Sequence, residues 1–225
     1  MENLPTVKKI VSGENHILAL TVRGEVFSWG SGENGQLGRV GARFADRSCL
    51  RKACQREALL TPKSLKLVTK LAKATNIFTG MNHSFALTDK HGLVGWGLNN
   101  CGQLGTRHVH SKGVLCCFSP VVIDYFHGHD IIEVAGGDHH TLVLVHPTTV
   151  YSCGDGQYGR LGIGRGIVHV YTHWKKLKET SYRCERERER GRCWYHMCEK
   201  YMMILHWKHG LKEREREREI ERRKK

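Results

Sequence analysis

The hydrophobic positions of this chain fall into short runs that return in the same order three times. The first set has two runs, Ile17–Thr21 and Val26–Trp29, separated by a turn that contains Gly24. Four mostly apolar residues in a row, bounded by turn residues, predict a strand that is buried on both faces. The second run alternates more between apolar and polar positions, and the glycine-containing turn between the two runs predicts a β-hairpin.

Further strands are predicted around each hairpin. A proline followed by apolar residues comes after the first two hairpins, at Pro62 and Pro120. Proline is tolerated at the start of a strand or on an edge strand. No such strand is predicted after the third hairpin, because the sequence changes character beyond Gly164. Small sheets of about four strands, repeated at this length, predict propeller blades. Their leading strands are Thr6–Val11, Lys73–Phe78 and Ile131–Ala135.

A fixed spacing of glycine and histidine accompanies each hairpin. One glycine lies three residues before a histidine, another lies fourteen residues after it, and G-x-x-x-x-G-[QR]-L-G closes the unit. Self-similarity in a fixed register is typical of repeat architectures. The repeated histidine predicts a buried imidazole that ties one loop to the next through hydrogen bonds. The structural repeat positions are Gly13, His16, Gly30, Gly35, Gly38, Gly80, His83, Gly97, Gly102, Gly105, Gly137, His140, Gly154, Gly159 and Gly162.

These motifs resemble the regulator of chromosome condensation (RCC1-type) repeat family. The carrying residues are the G-x-x-H-x-x-x-L and W-G-x-x-x-x-G-Q-L-G motifs within residues 13–38 and 80–105, with a third copy at 137–162. The resemblance covers about residues 5–165 and is nearest to the family's founding member. It implies a seven-bladed β-propeller. We therefore expect an all-β fold, a partial propeller of about three blades with an irregular or helical C-terminal tail.

The resemblance also implies a function. The founding member of the family is the guanine-nucleotide exchange factor of the nuclear GTPase Ran, and it binds chromatin. We expect a Ran-type small GTPase as partner, chromatin (histone or DNA) as a further partner, and a nuclear or also cytoplasmic location. Exchange needs no covalent chemistry, so the chain is expected to be at most a non-covalent exchange factor. No cofactor, small-molecule substrate or membrane partner is expected.

The residue before the repeated histidine is the candidate functional position. It is Asn15 in the first unit, Asn82 in the second and His139 in the third. A departure at an otherwise repeated position favours a functional role. The resemblance implies that a histidine matching His139 faces the GTPase and is important for exchange. It also implies an acidic residue at the position of Asn15, where this chain lacks the charge. We expect all three to bind the partner, with His139 as the exchange residue.

Composition divides the chain near residue 165. The formal net charge is +14, and basic residues are denser after this point, whereas all four prolines lie before it. We predict propeller blades over 1–165, in units of about 7–62, 73–120 and 131–165, and a basic low-complexity tail over 166–225. The Glu-Arg runs of the tail, which GAGAGA repeats encode, favour the hypothesis that it is translated intron or microsatellite sequence.

Cysteine and charge patterns add further expectations. The nine cysteines are odd in number and form no C-x-x-C, which favours a reducing compartment. Cys101 and Cys153 are predicted as small loop or buried residues, and no metal site is predicted because the tail cysteines and histidines match no zinc spacing. The basic insertion 39–72 is predicted as a solvated loop with a short helix around 50–60. An electrostatic contact with nucleic acid or an acidic protein is the alternative.

Three alternatives to exchange stay open from the sequence. The repeats could bind a partner without accelerating nucleotide release, as a non-catalytic scaffold. The chain could be a truncated gene product without function. It could also bind nucleic acid through residues 39–72 and the tail, which predicts a strongly salt-dependent affinity.

Overall fold

The structure, a computed structural model, describes residues 5–39, 66–68, 71–106, 116–146, 149–163 and 170–177. All of them lie in the unit Met1–Tyr182. They form three antiparallel sheets of four strands each, and the helical structure among them is limited to two single 3-10 turns. The expected all-β fold is confirmed.

The first sheet has the strand order β1-β2-β3-β4. Strand β2 is buried along almost its whole length, as its apolar run predicts, whereas β1 alternates between half-buried and exposed positions. Gly24 adopts a φ of +83° in the turn between β2 and β3, where a side chain would be strained. The strands are β1 Val7–Ser12, β2 His16–Thr21, β3 Val26–Gly30 and β4 Lys66–Leu67.

The second sheet repeats this order as β5-β6-β7-β8. Pro120 lies inside β8, which is the edge strand, so its missing backbone N–H interrupts no ladder on the outer side. The proline therefore sits on an edge, as predicted, although the strand begins four residues before it. The strands are β5 Ala74–Thr79, β6 His83–Thr88, β7 Gly92–Leu98 and β8 Cys116–Val122.

The third sheet also has four strands, in the order β9-β10-β11-β12. The prediction that this unit lacks an outer strand is wrong, because β12 pairs antiparallel with β11, with Ser152 opposite Lys175. Strand β12 lies beyond residue 165, within the segment predicted as tail. The strands are β9 Ile131–Gly136, β10 His140–Val145, β11 Thr149–Asp155 and β12 Val170–Lys176.

Strand β12 ends in the same register as the outer strands of the other two sheets. The residue after each outer strand donates its backbone N–H to a carbonyl near the start of the third strand. The three bonds are Val68 to Val26 at 2.8 Å, Ile123 to Leu93 at 2.9 Å and Leu177 to Val150 at 2.9 Å. Residues 170–177 therefore complete the third sheet. The rest of the predicted tail, the helix at 50–60 and most of the basic insertion lie outside the described residues.

The sheets pack against one another through their first strands. Strand β1 contacts β5, and β5 contacts β9. Thr79 donates its hydroxyl to the carbonyl of Ser12 at 2.8 Å across the first junction. Apolar side chains of the central strands, such as Phe85 and Val143, are fully buried. Each such side chain contributes about 1.5–3 kcal/mol.

Candidate partner-binding face

The glycine three residues before each repeated histidine leaves space for the imidazole ring. A Cβ on Gly13 would lie 2.2 Å from Cε1 of His16, and one on Gly80 would lie 2.2 Å from Cε1 of His83. Real Cβ atoms essentially never approach another atom within 3.0 Å. The G-x-x-H spacing is therefore a packing requirement, since the ring folds back onto its own turn.

Each of the first two repeated histidines binds a hydroxyl of the next sheet. His16 Nε2 lies 2.9 Å from Ser84 Oγ, and that hydroxyl donates its single proton to the carbonyl of Gln36 at 3.0 Å. The hydroxyl must then accept from the imidazole, so His16 carries its proton on Nε2. His83 and Thr141 repeat the arrangement at 3.0 Å. These bonds join strands of neighbouring sheets, whereas the sequence predicted loop-to-loop links.

Burial keeps these imidazoles neutral. It lowers the pKa of His16 to about 4 and, with the neighbouring histidines adding to the effect, that of His83 to about 3. The Nδ1 atoms of both rings are buried and have no hydrogen-bond partner among the described residues. A second proton would therefore place an uncompensated charge in the interior. The two histidines serve to hold the sheets together.

The position before each repeated histidine is held in the same way in all three sheets. Its carbonyl accepts a backbone N–H from the residue that follows the second repeat glycine. The three bonds are Ser31 to Asn15 at 2.7 Å, Leu98 to Asn82 at 2.8 Å and Asp155 to His139 at 2.9 Å. Asn15, Asn82 and His139 therefore occupy equivalent places at one end of the sheets.

The turns that carry these residues are connected to one another. Glu14 donates its backbone N–H to Met81 at 3.1 Å, and Met81 donates to Gly137 at 3.0 Å. The turns and the glycine-rich closing loops together form one surface, which we call the loop face. It consists of residues 13–15, 80–82 and 137–139 and of the closing loops 31–36, 98–103 and 155–160.

The three candidate side chains differ in their surroundings. Asn15 is exposed. Asn82 is half-buried, and its amide accepts from Gln36 Nε2 at 3.2 Å and donates to Glu14 at 3.4 Å. His139 is half-buried, and its buried Nδ1 has no hydrogen-bond partner within the described ranges. Asn82 is thus committed to neighbours, whereas the side chains of Asn15 and His139 are the ones that a partner can engage at little structural cost.

The structure adds residues to the loop face that the sequence analysis missed. Arg160 forms an ion pair with Asp155 at 3.3 Å, directly beside His139. Tyr158 is 77% exposed. A comparison of the three closing loops would have found both, because Arg160 stands where Gln36 and Gln103 stand in the other loops.

Other kinds of site were also considered. Within the parts of the chain that the structure describes, no three His, Cys, Asp or Glu side chains are grouped so as to hold a metal ion. The cysteines and histidines of the predicted tail beyond residue 177 lie outside those parts. No helix in the described ranges has the length and apolar character to cross a membrane.

Similarity to known sequences agrees with the repeat pattern. Two profiles of the "Regulator of chromosome condensation (RCC1) repeat" match, one at residues 7–36 and 74–103 and the other at 23–87 and 92–144. The chain is 36% identical to the regulator of chromosome condensation of Xenopus laevis over 72% of this chain and 37% of that protein. It is 34% identical to guanine nucleotide exchange factor SRM1 of Saccharomyces cerevisiae over 74% of this chain and 32% of that protein. It is also 37% identical to human E3 ubiquitin-protein ligase HERC2, over 70% of this chain and 3% of that protein.

A solved structure has the same architecture. Prp20p from Saccharomyces cerevisiae, described with its binding properties to Gsp1p and histones, superposes with a TM-score of 0.60 and 28% identity. The superposition covers 79% of this chain and 40% of Prp20p.

Three equivalent sheets, packed through their first strands and closed by glycine-rich loops, define a repeat protein with part of a β-propeller. The chain belongs to the regulator of chromosome condensation (RCC1) repeat family. It spans well under half the length of the Xenopus laevis and Saccharomyces cerevisiae relatives that it matches.

Proposed function

We propose that this chain promotes guanine-nucleotide exchange on a Ran-type GTPase through its loop face. The observation that carries the proposal is the place of His139, which stands where the other two blades have asparagine and lies beside the Asp155–Arg160 ion pair. The similarity to an exchange factor supports the type of activity.

Exchange of this kind follows from preferential binding. A factor that binds the nucleotide-free GTPase more tightly than the loaded form weakens nucleotide binding by the same ratio. An imidazole can both donate and accept a hydrogen bond. A contact of His139 that forms only with the nucleotide-free GTPase would therefore increase the rate of release. His16 and His83 are excluded from this role because they are buried and bound to hydroxyls.

Asn15 lies on the same surface, and its lack of charge should limit the rate of exchange. It is exposed, and it occupies a position where the family resemblance implies an acidic side chain. A carboxylate there would add a charge-assisted contact to a basic group of the partner. We expect Asn15→Asp to increase exchange by about tenfold at most, the effect of a contact worth about 1.4 kcal/mol.

The experiment follows release of a fluorescent GDP analogue from Ran with the full chain added. The wild type should accelerate release, and His139→Ala should slow it by about tenfold or more, as expected for the loss of one hydrogen bond made in the rate-limiting state. His91→Ala is the matched control, because His91 is exposed in the turn at the opposite end of the second blade. A wild-type chain that does not increase the rate of GDP release from Ran would contradict the proposal.

A binding scaffold without exchange activity is the second candidate. It is favoured by the similarity to HERC2, in which the matched repeats are a small part of a much larger ligase. The same experiment distinguishes the two functions when binding is measured beside release. Ran that binds to the chain with no change in its release rate would favour the scaffold.

We further propose a nuclear, chromatin-associated location. The support is the relationship to regulators of chromosome condensation, together with the net charge of +14. A basic protein that contacts DNA through phosphates loses affinity steeply as salt rises. Binding to nucleosomes that is insensitive to salt between 50 and 200 mM would argue against a phosphate-dominated contact.

A further inference from the structure

The three closing loops are equivalent in the fold and can be compared directly. In the first two, the glutamine side chain turns inward and is almost fully buried. Gln36 Oε1 accepts the backbone N–H of Asn34 at 2.9 Å, and Gln103 Oε1 accepts that of Cys101 at 3.0 Å. Each of these loops is therefore held from inside, with residue 34 or 101 half-buried.

The third closing loop is held by a different set of contacts. Arg160 replaces the glutamine, and a guanidinium is costly to bury without a full set of partners. Its Nε donates to the carbonyl of Gln157 at 2.9 Å, and one of its terminal nitrogens pairs with Asp155. Asp155 also accepts the backbone N–H of Gln157 at 3.0 Å. The side chain of Arg160 is 19% exposed and connects Asp155 with Gln157 within the third closing loop.

Tyr158 of the same loop is directed into solvent. Tyr158 occupies the position of Asn34 and Cys101, yet it is 77% exposed. Its φ of +56° lies in the left-handed region, which tyrosine adopts only at a free-energy cost. The guanidinium of Arg160 lies over the ring, with its Cζ 5.6 Å from the ring centroid. An aromatic ring held in a strained and exposed position favours a functional role.

We propose that Tyr158, with Arg160 beneath it, is an anchor residue for the GTPase partner on the loop face. The inference rests on the proposed function and names a second contact beyond His139. Tyrosine and arginine dominate the binding energy of protein interfaces, and a tyrosine that is already positioned loses little conformational freedom on binding. Asp155 connects the two contacts, because its backbone N–H binds His139 and its carboxylate binds Arg160. The guanidinium has five N–H donors and retains some for a carboxylate of the partner.

The test is Tyr158→Asn in the full chain. Asparagine is the residue of the equivalent place in the first loop and tolerates the left-handed conformation, so the variant should fold and melt at the wild-type temperature or above. Biolayer interferometry with nucleotide-free Ran should show binding weakened by about tenfold. Tyr125→Asn is the control, because Tyr125 is 49% exposed at the opposite end of the blades and should leave binding unchanged.

The outcomes separate this inference from the function on which it rests. Wild-type binding that falls with His139→Ala but not with Tyr158→Asn would overturn the anchor and leave the exchange proposal standing. A wild-type chain that does not bind nucleotide-free Ran would overturn both. Binding that falls with Tyr158→Asn and not with Tyr125→Asn supports the anchor.

Discussion

The second and third blades solve the same packing problem with different residues. In the second blade, Trp96 of β7 lies opposite Ser84 of β6 and is fully buried. Its indole covers Gly38, which lies just after the first closing loop and where an added Cβ would lie 2.8 Å from Nε1, and it donates to Gln36 O at 2.9 Å. The third blade has Cys153 at this register, opposite Thr141. A cysteine cannot fill the volume of an indole.

The missing volume is supplied by another strand. Trp174 of β12 covers Gly105, the counterpart of Gly38, and an added Cβ there would lie 2.3 Å from its Nε1. Trp174 is 4% exposed and packs on Phe126 with ring centroids 4.7 Å apart. The hydrogen bond is not recovered, because Trp174 Nε1 has no partner among the described residues and Gln103 O receives the weaker donor Cys153 Sγ at 3.4 Å. Between the second and third blades, the volume of an indole is therefore kept, but its hydrogen bond to a backbone carbonyl is lost.

The largest loss of stability is expected when the indole of the second blade is removed. Trp96→Ala removes a fully buried indole and one hydrogen bond, so it should lower the free energy of unfolding by about 3–5 kcal/mol. Trp29→Ala is the matched control at the same register of the first blade, where the indole is only half-buried. Urea unfolding followed by far-UV circular dichroism measures both. Equal losses for the two variants would show that the junction does not depend on the buried indole.

A smaller effect is expected from a change in pH. It acts through His16, which bonds across the junction of the first and second sheets, and His83, which bonds across that of the second and third. The folded imidazole of His83 has a pKa of about 3, below the unfolded value of about 6.5. The unfolded state therefore binds more protons, so stability is full above pH 6.5 and falls as the pH drops toward 3. The loss at pH 5.5 is about 1.4 kcal/mol for each such histidine.

His83→Gln isolates this contribution, because the amide can still donate to Thr141 but does not titrate. Between pH 7.5 and 5.5 it should lose about 1.4 kcal/mol less stability than the wild type, although it starts from a lower value. The exposed His91→Gln variant should follow the wild-type profile. A His83→Gln variant with the wild-type pH profile would contradict the buried, neutral state of His83.

The sequence predicts the local features of this fold well. The strand pattern of residues such as Ile17–Thr21 and the register of the repeats follow from short-range rules, and the structure confirms them. Cys153, predicted as a small buried or loop residue, is buried. Trp174 could not be found in this way, because it belongs to a segment that matches no repeat motif and its partner Gly105 is distant in sequence. The sequence shows that Arg160 replaces a glutamine in the third closing loop, but the contacts of its side chain with Asp155, Gln157 and Tyr158 are visible only in the folded loop.

The contrast between the blades bears on the proposed function because the third blade carries His139 and Tyr158. Both lie on turns or loops whose position is set by β10 and β11, and β11 is covered by β12. A third blade that lost its outer strand would leave Cys153 against an empty volume beside Gly105. The proposed partner surface therefore depends on residues 170–177.

Unfolding of the full chain with Trp174→Ala, Cys153→Trp and both changes together tests the central claim, that Trp174 fills the indole site left by Cys153. Trp174→Ala should cost about 3–5 kcal/mol, and Cys153→Trp alone about 1–3 kcal/mol from overpacking. The double variant should recover at least about 1–2 kcal/mol relative to Trp174→Ala, because the new indole takes the vacated volume. Losses that simply add in the double variant, or a Trp174→Ala chain as stable as the wild type, would contradict the account.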